Sequence, residues 1–183
     1  TWNYPNEIGF PNYKFKYSNE GLTGFGKTLV EEMNSLGMIV DVSHLSDGGF
    51  YDVAAVSQKP FMASHSNSRE ITNHSRNLTD DMIRMLSSSG GVMGLNFCAG
   101  FLGSSKKALL SDMLRHIKHI HKIGGIDVIA LGSDFDGITN EVEIENASQM
   151  EKLAWELAKN GFTDDQIEKI FFKNALRVIR DVL

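Results

Sequence analysis

Cysteine is nearly absent from this 183-residue chain: Cys98 stands alone, so no intramolecular disulfide can form, and a reducing compartment, the cytoplasm, is the expected home. No apolar run approaches the ~20 residues of a membrane-spanning helix. Nor do the first residues have the shape of a signal peptide. Positive charge is not in excess. The 18 Lys and Arg face 23 Asp and Glu, and a net charge of −5 argues against nucleic acid or an anionic membrane surface as the main partner. Linkers, internal repeats and low-complexity tracts are missing too, so residues 1–183 read as one domain, with a 42% hydrophobic content ordinary for a globular core. The chain opens on Thr1 rather than Met, and an excised or processed piece is expected.

What is present is an alternation of strand-like and helical patterns. Residues 1–20, with Pro5 and Pro11, read as irregular. Leu22, Phe25, Leu29, Val30, Met33 and Leu36 have helical spacing, and Gly37 closes that helix. Strand-like runs follow at 38–42, 61–64, 92–97 and 128–131, separated by helices predicted over 47–57, from Thr79, and over 106–123. A helix over 148–159 and a capping box at Thr163–Gln166 complete the pattern. Strands alternating with helices predict an α/β fold with a parallel sheet of right-handed units. With four strands where a closed (β/α)8 TIM-type barrel needs eight, the chain reads as about half of such a barrel, whose open sheet edge leads us to expect self-association, as in a homo-oligomer.

The polar residues that end these runs carry the chemistry. His44 and His65 close the first and second strands, 21 residues apart, about one βα repeat. Imidazole is a common zinc ligand, and polar side chains at the carboxyl ends of successive barrel strands are how such folds build active sites. Asp134, with Asp136 beside it, follows the fourth strand, where a carboxylate can orient a metal-activated water and move its proton. Arg69 and Arg76 lie in the loop after the second strand, each suited to bidentate capture of a substrate carboxylate. His116, His119 and His121 lie within a predicted helix and read as a solvated face, and Cys98 reads as a buried structural thiol.

Together, Asp41-Val42-Ser43-His44, Ser64-His65-Ser66-Asn67-Ser68-Arg69, His74-Ser75-Arg76-Asn77-Leu78, Gly132-Ser133-Asp134-Phe135-Asp136-Gly137 and Asn174-Ala175-Leu176-Arg177-Val178 resemble the membrane (renal) dipeptidase family of zinc metallopeptidases. The resemblance runs from about Thr1 to Leu183. It implies a (β/α)8 barrel with two zinc ions and hydrolysis of dipeptides, some members accepting D-residues at the carboxyl-terminal position. It further implies His44 and His65 as ligands to one zinc, Arg76 as the holder of the substrate's terminal carboxylate, and Asp134 as the acid/base group that also contacts the substrate. The family's His-x-Asp zinc pair and bridging glutamate have no counterpart here and are expected upstream of Thr1, which would leave the piece alone inactive. Trp2 stands about where the family often has a histidine near the substrate, and Phe101 takes an aromatic substrate-contact position without a phenolic hydroxyl. Two other readings are another metal-dependent amidohydrolase on the same barrel, acting on a cyclic amide or ester, and a non-catalytic scaffold fragment. Arg76 separates the first of these, since a neutral ring needs no carboxylate clamp.

Overall fold

The computed structural model of the chain describes residues 2–183. Its centre is a parallel sheet of β1 (Met62–Ala63), β2 (Val92–Leu95) and β4 (Ile129–Leu131), in that order. The 38–42 run lies beside β1 but joins it only through an Asp41–Met62 bridge, with the Val42 amide donating to Met62 and the Met62 amide to Val40. This strand is shorter than its apolar run because the Asp41 carboxylate accepts from the Ser43 and Ser64 amides, diverting the backbone from the ladder. The order of the four segments is therefore their order in sequence, as right-handed parallel units require.

The helices are α1 (Gly24–Ser35), α2 (Asp47–Val56), α3 (Asp80–Ser88), α4 (Ala99–Leu102), α5 (Leu110–Gly124), α6 (Glu151–Lys159), α7 (Asp164–Glu168) and α8 (Asn174–Val182). Their starts follow side-chain chemistry. The Thr23, Ser46 and Thr79 hydroxyls accept from the Gly26, Gly49 and Met82 amides, and Thr163 with Gln166 forms the predicted capping box. Gly37, at φ +69°, makes the left-handed turn that ends α1. The helix predicted from residue 106 starts instead at Leu110, because Lys107–Ala108 is a short strand, β3, paired in parallel with β5 (Glu141–Val142). Between α7 and α8 the chain runs on through a π-helical turn, Lys169–Lys173.

Side chains alternate across the sheet. Ala63, Met93, Leu95 and Ile129 join the main core with Ile83, Leu86, Met113, Ile117 and Ile120 of α3 and α5. On the other face Val92 and Ala130 pack with Val178 and Val182 of α8, and with Met62. Burial on both faces explains why these strands read as continuous apolar runs rather than alternating ones. Further along that second face come Ser64, Gly94 and Gly132. A Cβ on Gly94 or Gly132 would lie 2.0 or 1.8 Å from the Ser64 carbonyl oxygen, so only glycine lets the strands approach there. The polar residues then follow at the carboxyl ends. Among the described residues, no helix is long and apolar enough to cross a membrane.

Candidate active site

His44, His65, Asn96 and Asp134 follow the four parallel segments in turn, so the sheet delivers them to one rim. His44 and His65 meet there with their Nε2 atoms 3.0 Å apart. Their hydrogen-bond partners fix what those nitrogens carry. The Ser64 hydroxyl lies 2.5 Å from Asp41 Oδ2 and 2.7 Å from His65 Nδ1. A carboxylate can only accept, so the hydroxyl donates to Asp41 and accepts from Nδ1–H, leaving a lone pair on His65 Nε2. His44 Nε2 accepts from Arg76 Nη2 at 2.9 Å and so also presents a lone pair. Burial, then the nearby Arg76 guanidinium, lowers the pKa of both rings, that of His44 to about 4, so both stay neutral at pH 7.

In this structure the His44 Nε2 lone pair is engaged by Arg76, so a metal held between the two nitrogens would take the place of that guanidinium bond; neutral imidazole is a ligand of zinc and its neighbours. The pair therefore fits a metal ion as two of its donors, with Ser64 and Asp41 as the outer partners that hold the ring in the ligating tautomer. A zinc site takes three or four protein ligands, and among the described residues no group of three His, Cys, Asp or Glu is placed to hold a metal.

Asp134 adopts φ +62°, a left-handed conformation that Asp tolerates better than most residues. Its turn closes through the Gly137 amide donating to the Asp134 carbonyl at 2.9 Å, and a Cβ at Gly137 would fall 2.1 Å from Asp134 Oδ1. Asn96 Nδ2 donates to Asp134 Oδ2 at 3.1 Å. Asp136 is exposed and does not line the cavity that Asp134 lines.

Arg76 is 7% exposed; its Nη1 has no acceptor among the described residues, and its guanidinium lies 5.6 Å from the Phe101 ring. Burial lowers its pKa to about 10, so it remains charged at neutral pH. Arg69, equally eligible in the sequence, is committed elsewhere: it forms a bidentate pair with Asp47 at 2.6 and 2.8 Å and donates to the Asn77 carbonyl. His44, Arg76, Phe101 and Asp134 line one cavity of about 700 Å³ together with Trp2, and His65 reaches it only through its contact with His44.

Cys98 is half-buried on the cavity wall rather than in the core, and burial raises its pKa, so it stays a thiol. His116 is not on a solvated face. It is fully buried, accepting from the Ser68 amide at 3.1 Å and facing the Leu102 carbonyl at 3.0 Å, while His119 pairs with Asp80 and His121 lies beside Phe162. A buried set of asparagines, Asn67, Asn77 and Asn96, has a role that the motifs alone do not reveal. The Asn67 side chain brackets the Asn96 backbone, its Nδ2 donating to the Asn96 carbonyl and its Oδ1 accepting from the Asn96 amide, and Asn77 ties the Arg76 loop to Thr72 and Phe101. Ser64 and Asp41 lay inside the quoted motifs, and their positions directly beside the histidine and the strand end were the available signal.

The fold and rim together define an α/β protein that gathers two imidazoles, a guanidinium and a carboxylate at the carboxyl ends of its parallel strands. The sequence model of the family described as membrane dipeptidase (peptidase family M19) matches residues 1–183, and the chain belongs to that family. An uncharacterized protein from the pqqA 5′ region of Klebsiella pneumoniae is 36% identical over 189 residues, covering 99% of this chain and 70% of that protein. An uncharacterized dipeptidase of Schizosaccharomyces pombe is 37% identical over 164 residues, covering 87% of this chain and 39% of its own length. Among solved structures, a metallopeptidase from Rhodobacter sphaeroides liganded with a phosphinate mimic of L-Ala-D-Ala superposes with a TM-score of 0.91 at 32% identity, over all of this chain and 54% of that one. A family M19 dipeptidase superposes at 0.92 and 33% identity, again over the whole chain and 56% of the other. The chain thus spans about half the length of the solved relatives it matches. Membership in a metallopeptidase family implies metal use.

Proposed function

We propose that residues 1–183 form, as a single domain, the carboxyl-terminal half of a (β/α)8-barrel zinc dipeptidase with two zinc ions, and that His44 and His65 are ligands to one of them. The observation that carries this reading is the meeting of two neutral imidazole Nε2 atoms, one of them bonded to a buried guanidinium, at a cavity that a carboxylate also lines. Zinc, when bound, lowers the pKa of water towards neutrality and polarises a carbonyl.

The chain's own residues do the rest. Arg76, held by the Asn77 network and packed over Phe101, captures the dipeptide's terminal carboxylate with its buried, unpartnered Nη1 and so places the scissile amide over the histidines. Asp134, oriented by Asn96, takes the proton of the attacking water and delivers it to the leaving amine. A neutral cyclic amide would have no use for Arg76, which favours the dipeptide over the alternative amidohydrolase reading. Two donor nitrogens are too few for a zinc site, so residues 1–183 alone are inactive in this proposal.

The test is zinc content together with hydrolysis of L-Ala-D-Ala, measured on residues 1–183 and on the product of the whole gene. Two zinc ions and hydrolysis by the gene product, neither by residues 1–183, support the reading. A metal-free, inert gene product would sink it and leave a non-catalytic scaffold.

A further inference from the structure

The charge of the cavity runs against that of the chain. The protein carries a net charge of −5, yet the cavity wall holds three cations, Lys14, Arg76 and Lys106, against one carboxylate, Asp134. Burial leaves His44 and His74 neutral, so they add nothing to that imbalance. Arg76 has an assigned partner in the substrate's terminal carboxylate. Lys14 and Lys106 have none: like most lysines of this chain, neither forms an ion pair with an acid among the described residues, and these two line the cavity.

Lys14 is also held in place by an uncommon backbone. Lys14 and Phe15 both have positive φ, 50° and 59°, and neither is glycine. Strain of this kind persists where the surroundings impose it. Here the Phe15 ring is fixed under the Arg69 guanidinium at 5.1 Å, itself clamped by Asp47, and the Lys14 ammonium lies 5.0 Å from the Tyr13 ring. Lys106 directly precedes β3, whose pairing with β5 steadies the same rim.

We infer that Lys14 and Lys106 are specificity-determining residues that make this cavity select dipeptides bearing an acidic side chain. The inference rests on the dipeptidase reading above. A neutral dipeptide offers one carboxylate, which Arg76 takes; an aspartyl or glutamyl residue offers a second, and the two lysines are the cations that meet it. Both are exposed, so each contributes at most about a five-fold gain. The two contributions multiply, so the preference is at most about 25-fold, and it declines with salt as the Debye length falls from ~10 Å at 0.1 M to ~3 Å at 1 M.

The experiment compares kcat/KM for Ala-Ala, Ala-Glu, Glu-Ala and Ala-Lys on the zinc-loaded gene product at low and high salt. The same set is run on Lys14→Glu, Lys106→Glu and, as a control for net charge, Lys122→Glu on the exposed side of α5. The expected result is a salt-sensitive preference for a glutamyl dipeptide that shrinks or turns towards Ala-Lys in the first two variants and survives in the third. Preference for only one of Ala-Glu and Glu-Ala supports the inference equally and fixes which substrate residue faces the lysines. Equal kcat/KM for Ala-Ala and both glutamyl dipeptides at low salt overturns the inference while leaving the dipeptidase reading intact. Failure to hydrolyse any of the four while L-Ala-D-Ala is cleaved overturns the inference alone, and failure on L-Ala-D-Ala as well overturns both.

Discussion

His116 is the residue whose replacement tests the structure most directly, because its function is to hold the loop that carries Arg76. Its Nδ1 is the acceptor for the buried Ser68 amide, and its Nε2–H donates to the Leu102 carbonyl. The two ends are not equivalent. The Leu102 carbonyl also accepts from Thr72 Oγ1 at 2.9 Å and Arg115 Nη2 at 3.2 Å, so it keeps partners without the imidazole. The Ser68 amide does not. His116→Phe therefore orphans one buried donor and costs about 1–3 kcal/mol, whereas His116→Asn, whose Oδ1 can replace Nδ1 as acceptor, costs less.

The pH dependence gives a second, independent reading. Burial lowers the His116 pKa from 6.5 to about 4. Between these values the unfolded chain binds a proton that the folded protein refuses, so stability rises with pH across that window. The contribution is fully present above pH 6.5 and is lost as pH falls towards 4, amounting to about 3 kcal/mol at 1.36 kcal/mol per unit. His44, His65 and His74 are lowered too and tilt the profile the same way, so the informative quantity is the wild-type profile minus that of His116→Asn. Urea unfolding from pH 4 to 7.5 supplies it. Superimposable wild-type and His116→Asn profiles, or a His116→Phe variant as stable as wild type, would refute the argument.

Much of the site was legible in the sequence because its logic is local to single strands. An apolar run buried on both faces, ended by a histidine or aspartate, marks a strand delivering a polar group to a rim, and His44, His65 and Asp134 all arrived together as that pattern predicts. What failed to show was decided by contacts distant in sequence. Arg69 and Arg76 are alike as loop arginines, and only the position of Asp47, 22 residues before Arg69, tells them apart. Strands β3 and β5 have two residues each and lack any periodicity to read. His116 is a different case. It lies three residues beyond Met113 and four before Ile120, on the buried stripe of α5, so helical spacing already placed it inside. Its residue type and its lysine neighbours outweighed that evidence in the reading of a solvated face.

Three further outcomes follow from the rim. Ser64→Ala removes the acceptor that fixes His65 Nδ1 and should weaken zinc binding about 10–100-fold, measured by chelator competition; unchanged affinity would show that the ring needs no such guide. Asp134→Asn keeps an oxygen for Asn96 but cannot take a proton, so kcat should fall about 10²–10⁴-fold with zinc content unchanged. Gly132→Ala forces a methyl to within 1.8 Å of the Ser64 carbonyl, a backbone atom that cannot rotate aside. The strands must separate where Ser64 and His65 sit, so the variant should lose about 1–3 kcal/mol of stability and bind zinc more weakly than its stability loss alone would produce. If stability fell while zinc affinity held, the close approach of the Ser64 carbonyl to Gly132 would serve packing only, and the placement of His65 would have to depend on the Asp41 side alone.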